Sequence, residues 1–158
     1  MKRDYSTYIG YYIQNIAKLF THRHNTMLEQ IGLTYSQFRV LLYLWEEDGI
    51  SQNLLVKDNL MKPASLSGIL LTLEKKGYII RKKDASDARC KLVHLTDMGR
   101  ALEKISFDII NVLEIQVQEA FDSEEGQKLV DILNDLKTCV DTLSIPQMPE
   151  SAKDWMTK

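Results

Sequence analysis

The stretch from Lys62 to Thr96, KPASLSGILLTLEKKGYIIRKKDASDARCKLVHLT, limits the folds open to this chain more than any other segment. Its first part, Pro63 to Lys76, reads as a helix with Leu66, Ile69, Leu70 and Leu73 on one stripe. Pro63 falls at the first helical position, where its missing N–H costs nothing, and Gly77 falls where a left-handed C-cap belongs. The second part holds two β-rich runs, Tyr78 to Lys82 and Lys91 to Leu95, separated by the polar, basic segment Lys83 to Cys90. That pattern predicts a hairpin alternating outward charge with inward aliphatics. With the leucine stripe turned inward, the helix presents Ala64, Gly68, Leu71, Thr72 and Lys75, flanked by Ser65 and Ser67. A solvated face normally carries charge, and Gly68 costs ~1 kcal/mol relative to alanine in a helix interior. Both features suit a face that another surface approaches closely.

Charge is segregated in the same region. The chain has 158 residues, 44% hydrophobic composition and a formal net charge of -2, which describes an ordinary globular protein of one domain or two small lobes. Between Lys75 and Lys91, however, seven basic residues (Lys75, Lys76, Arg81, Lys82, Lys83, Arg89 and Lys91) face only Asp84 and Asp87, a local balance of +5. With Lys62, this cluster is suited to neutralising several phosphates, each adding ~0.9 to the slope of log affinity against log salt.

The rest of the chain reads as helices around this unit. Tyr8, Ile9, Tyr12, Ile13, Ile16, Leu19, Phe20 and Met27 recur at three-and-four spacing, predicting an amphipathic helix over 5–30. Its stripe begins so near the terminus that its first turns pack either on another chain or back on their own core. Thr34 and Gln37 form a capping box, with Leu33 placed to staple to Phe38, and Leu41, Leu42 and Trp45 continue that helix toward Gly49. Ser51 caps a short helix with Ile50 against Leu55, ending near Asn59. Helix, short helix and helix in quick succession is the helix-turn-helix order. After the hairpin, Thr96 caps a long helix through about Phe121, striped by Leu102, Ile105, Ile109, Val112 and Leu113. A break at Asp122-Ser123 opens a last helix, with Ser123 and the acidic Glu124 and Glu125 in its first turn. Leu129, Ile132, Leu133, Leu136, Val140 and Leu143 form its seam, and Pro146 and Pro149 follow it. The expected fold class is mostly α with a small β-hairpin wing. The expected organisation is an N-terminal dimerisation helix over 5–32, a winged helix-turn-helix domain over 33–96, C-terminal dimerisation helices over 97–145 and a loose tail over 146–158, for which Trp155 is a candidate anchor.

Other chemistries find little support. Cys90 and Cys139 are far apart with no Cys-x-x-Cys or Cys/His spacing, so neither a disulfide framework nor a zinc site is indicated and a reducing cytoplasm is the simplest setting. The start MKRDYSTYIGYYIQN breaks every apolar run with polar residues, unlike a signal peptide, and no run approaches the ~20 residues that span a bilayer. There is no P-loop, GxGxxG, GxSxG or HExxH, so an enzyme is not expected, and no cofactor. His22 and His24 are two apart on a helix and point to nearly opposite faces, which argues against a metal site.

With these elements placed, the chain resembles the MarR family of dimeric winged helix-turn-helix transcription regulators. LTYSQFRVLLYL resembles the family's second helix, the segment Leu55 to Gly77 ends in LEKKG, and RKKDASDARCKLVHLTDMGRAL resembles its wing signature, with Asp84, Asp87, Arg89, Leu95, Thr96 and Gly99 at the family spacing. Departures are Gly68 where a long polar residue is frequent, Lys62 in place of a Ser or Thr cap, Ala88 in place of a second arginine, and Asn59-Leu60 in place of a Leu-Gly pair. The resemblance implies a homodimer, with two winged lobes straddling a pseudo-palindromic operator in double-stranded DNA. Carried over, Pro63 to Thr72 is the recognition helix in the major groove, Arg89 enters the minor groove braced by Asp87, and Ser51 and Gln52 meet phosphate. With Lys62, Lys75, Arg81, Lys83 and Lys91, these are the expected DNA-binding residues.

Tyr8, Ile9, Tyr12, Ile16, Ile109, Val112, Leu129, Leu133, Leu136 and Val140 are the expected dimer contacts. The resemblance further implies a cleft for a small aromatic or phenolic effector, for which Tyr12, Phe20, Phe38, Tyr43 and Trp45 are candidates, although aromatic side chains equally serve as core. The expected function is a transcription regulator, a repressor released by such a ligand. The alternatives are a DNA-binding protein without an effector, or a redox-responsive regulator acting through Cys90, whose basic neighbours favour the thiolate.

Overall fold

The computed structural model describes residues 4–58, 61–84 and 91–144. Helix α1 spans Ile9–Leu28, starting later than the apolar pattern alone suggests because Tyr8 is extended and supplies no side-chain cap. A 3-10 turn, Glu29–Ile31, ends at Gly32, whose φ of 71° lets the chain reverse into the next helix. Helix α2, Tyr35–Glu46, opens on the expected capping box. Thr34 Oγ1 accepts from Gln37 N–H and Gln37 Oε1 accepts from Thr34 N–H, both at 3.2 Å. The last turn of α1 helps to hold this start, since Tyr35 N–H donates to Asn25 Oδ1 at 2.9 Å.

Strand β1, Ile50–Ser51, was not foreseen. It pairs antiparallel with β3, Lys91–Leu95, which pairs in turn with β2, Ile79–Lys83, giving a three-stranded sheet in the order β1-β3-β2. Two residues are too short for an alternation signal, and the ladder exists only because β3 comes alongside. Ser51 still caps helix α3, Gln52–Asp58, through Leu54 N–H at 3.3 Å. Helix α4, Pro63–Lys75, follows with Pro63 in its first turn, and Gly77 has the left-handed φ of 74° expected beyond its end.

These elements enclose one apolar core of Leu28, Leu33, Phe38, Leu41, Leu44, Ile50, Leu55, Leu66, Leu70, Leu73, Ile79, Val93 and Leu95 among others, with Leu102 and Phe107 packed at its edge. Each fully buried leucine contributes ~1.5–3 kcal/mol relative to exposure, so the stripe of α4 is set by packing rather than by intrinsic propensity. Along the hairpin, Ile79, Arg81 and Lys83 share a face with Leu95, Val93 and Lys91. Arg81 therefore lies in the inward row, not on the outward charged row the sequence suggested.

By packing, the chain divides into Met1–Ile115 and Gln116–Lys158. Helix α5, Asp97–Gln118, is capped by Thr96 Oγ1, which accepts from Gly99 N–H at 3.1 Å, and it ends a turn before Phe121. In the second unit, helix α6 spans Ser123–Thr142, with Ser123 in its first turn as expected and Asp122 as its cap. One carboxylate oxygen of Asp122 accepts from Glu124 and Glu125 N–H at 2.9 and 2.8 Å, and Glu125 reaches back to Asp122 N–H at 3.3 Å. Cys139 is exposed.

Candidate nucleic-acid interface

Helix α4 owes its outer face to the depth of its inner one. Leu66, Leu70 and Leu73 are at most 1% exposed, which turns Ala64, Ser65, Ser67, Gly68, Leu71 and Lys75 to the surface. Leu71 is 46% exposed, an apolar side chain at the centre of an open face. Thr72 is half-buried and donates its hydroxyl proton to the Gly68 carbonyl at 3.0 Å, so Ser65 and Ser67 carry the accessible hydroxyls of this face. A Cβ built on Gly68 meets nothing within 4 Å. No crowding among the described residues explains the glycine. Lys62, exposed, precedes Pro63 without a side-chain cap bond.

Beside this face stands the hairpin. Arg81 binds the carboxylate of Glu74 through Nε at 3.0 Å and through a closer Nη2 contact, clamping the base of the hairpin to α4. The Arg81 guanidinium, outweighing slight burial, holds the Glu74 carboxyl below the usual range. Arg81 is thus engaged internally. Lys83 and Lys91, by contrast, are exposed and sit directly opposite each other. Facing like charges destabilise a ladder, so this pair suits a surface that meets an anion. Ser51 and Gln52 are half-buried at the start of α3. Arg89, Asp87 and Cys90 lie outside the described residues, as do Ala88 and Asn59-Leu60 of the departures noted above.

The expected dimer contacts are distributed unevenly. Tyr8, Ile9, Tyr12 and Ile16 on α1, Val112 on α5, and Leu129, Leu133 and Val140 on α6 are exposed, whereas Ile109 and Leu136 are half-buried. The first turns of α1 do not fold back on the core. Only at His24 and Leu28 is that helix buried.

The pocket candidates do not form one group. Tyr12 is exposed and touches Tyr11, away from the others. Phe38 and Trp45 pack with Phe107 in a trio of ring centroids 5.9 Å apart, and Trp45 Nε1 donates to the Gly99 carbonyl at 3.0 Å, so these two serve the core. Tyr43 is half-buried and packed against the same core. Phe20 instead leads into a run that the sequence did not single out. Its ring lies 5.9 Å from His24, which stacks at 4.7 Å on Tyr35, which lies 6.1 Å from Phe38. His24 is 4% exposed, and neither imidazole nitrogen has a hydrogen-bond partner. Burial pushes its pKa down from 6.5, against a smaller upward pull from Glu114. A histidine inside an amphipathic helix gives no sign of this from sequence, because its burial depends on α2.

A helix that packs against two others, shows an open face and is clamped to a basic hairpin makes this a winged helix-turn-helix fold. Residues 33–91 match the profile described as MarR family. Over this segment the chain is similar to the MarR family of transcription regulators. It is 36% identical over 87 residues to the HTH-type transcriptional regulator TtmR of Methylorubrum extorquens, covering 55% of this chain and 45% of that protein. To the organic hydroperoxide resistance transcriptional regulator of Bacillus subtilis it is 26% identical, over 80% of this chain and 83% of the relative. Among solved structures it is similar to the Staphylococcus aureus MepR–DNA complex, with a TM-score of 0.76 and 27% identity over 87% of this chain and 99% of that one. Among the described residues no helix is long and apolar enough to cross a membrane.

Proposed function

We propose that the protein is a homodimeric repressor of a pseudo-palindromic operator, reading it with the outer face of α4 in the major groove. The observation that carries this is the combination of an uncharged, uncrowded face around Gly68 with the opposed Lys83 and Lys91 beside it. Ala64 and Leu71 offer methyl groups to thymine, while Ser65 and Ser67 make adaptable hydrogen bonds. Arg89 enters the adjacent minor groove braced by Asp87, and Ser51, Gln52, Lys62, Pro63, Thr72, Lys75 and Lys83 line the phosphate path. Arg81 acts on DNA only through its clamp on Glu74. The site favoured is rich in A·T and is read partly by groove shape. The exposed aliphatic faces of α1, α5 and α6 form the interface between the two copies, since patches of this kind mark association surfaces.

Selecting bound duplexes from a random pool tests the reading. Two A·T-rich half-sites about one or two helical turns apart are expected, with affinity falling steeply as salt rises. Equal affinity for scrambled A·T-rich and G·C-rich duplexes would overturn it. In the same frame, a small phenolic ligand binds beside Phe20 and Tyr35, the half-buried rings of the aromatic run, and releases the DNA. A thermal-shift screen of phenolic acids reads this directly, because a ligand that binds the fold raises the melting temperature by mass action.

A further inference from the structure

We propose that Lys76 is a positioning residue that fixes the end of the recognition helix to the α1–α2 junction, and so sets which half-site spacing the dimer accepts. A lysine in a basic run ordinarily solvates or meets phosphate. This one is half-buried and engaged within the chain. Its ammonium donates to the Gly32 carbonyl and to Gln37 Oε1, the latter at 3.1 Å, acceptors 44 and 39 positions away in sequence. Gln37 is 7% exposed, and the same oxygen accepts the Thr34 N–H of the capping box. One amide oxygen therefore ties the start of α2 to the C-cap of α4. A cation at this end of α4 also suits the helix dipole.

The chain of contacts continues into α1. Asn25 Oδ1 receives the Tyr35 N–H, and His24 stacks on the Tyr35 ring. From α1 to α2 to α4 the links are directional hydrogen bonds between rigid elements, unlike apolar contacts that can slide. The tilt of α1, whose exposed face meets the second copy in the reading above, thus reaches α4 through Lys76. On its other side α4 is held by Arg81 and Glu74.

The proposal rests on the DNA-binding reading, and the experiment separates the two. Lys76→Met, Lys76→Arg and Lys75→Met are compared with the wild-type protein on selected duplexes whose half-sites are moved one base pair closer or farther apart. Lys75, exposed on the outer face, serves as the phosphate control. Lys76→Met is expected to keep the wild-type salt slope, while its preference for the native spacing falls by about fivefold or more. Lys76→Arg restores the preference, and Lys75→Met instead loses ~0.9 from the slope. A slope loss in Lys76→Met like that of Lys75→Met, or a lowered melting temperature with spacing preference intact, overturns the role. Without DNA, amide exchange at Thr34 and Gln37 should rise in Lys76→Met and not in Lys75→Met. Unchanged exchange refutes the tie even if no duplex binds, whereas raised exchange with no duplex bound refutes only the DNA-binding reading and with it the spacing role.

Discussion

The carbonyl oxygen of Tyr78 occupies the space a side chain on residue 99 would need: a Cβ built on Gly99 lies 2.1 Å from it. The same carbonyl accepts the Thr96 N–H at 3.0 Å, and Thr96 Oγ1 donates to the Gly77 carbonyl at 2.6 Å. The turn after α4 and the first turn of α5 are thereby joined backbone to backbone. This explains in physical terms why threonine and glycine stand three apart in LTDMG. Threonine caps the helix and holds the turn, and glycine lets them touch.

Gly99→Ala should therefore destabilise the fold by about 1–3 kcal/mol, the ordinary cost of overpacking a tight contact. Urea denaturation is the measurement. A midpoint equal to wild type would show that the turn yields freely.

Gly68→Ala should act in the opposite sense on stability. Its Cβ meets open space and the helix gains ~1 kcal/mol from alanine. If the outer face docks closely in a groove, the same substitution weakens operator binding although the protein melts higher. A variant that is stabilised and binds as well as wild type would show that nothing approaches Gly68.

Stability should fall on acidification from about pH 6.5 downward because of His24. Its folded pKa is lowered, so the unfolded chain binds the proton more readily, and folding loses free energy as pH drops through the window below 6.5. Above that pH the contribution is constant. Replacing His24 by phenylalanine keeps a ring on Tyr35, removes two unpartnered buried nitrogens and should flatten the melting temperature between pH 7 and pH 5. A variant with the same slope as wild type would place the titration elsewhere.

At lower pH Asp48 adds its own dependence. Burial raises its pKa, but the Leu95 N–H at 2.8 Å and Arg100 at 2.7 Å outweigh that, leaving it below 3.8. Its contribution is complete above that value and is lost as pH falls further. Asp48→Asn should cost about 1–2 kcal/mol at neutral pH by weakening the tie between β3 and α5. Chemical denaturation at pH 7 and pH 3 checks this, since the gap between variant and wild type should narrow at the lower pH.

Local chemistry was legible without coordinates wherever it depends on neighbours in sequence. The capping box at Thr34 and Gln37, the proline start of α4, the left-handed Gly77 and the leucine stripe all follow from spacing, because helix geometry and capping are decided within a turn or two. So was the open face of α4, as the complement of its stripe. Tertiary structure decided the rest. β1 exists because β3 passes beside it, Arg81 turns inward because Glu74 is there to receive it, and Lys76 reaches two acceptors, the Gly32 carbonyl and Gln37 Oε1, that the fold brings beside it. A charged side chain carries no mark in sequence of which partner it will meet. Long flexible cations are placed by acceptors brought from far along the chain, and only the folded packing of α1, α2 and α4 brings them within reach.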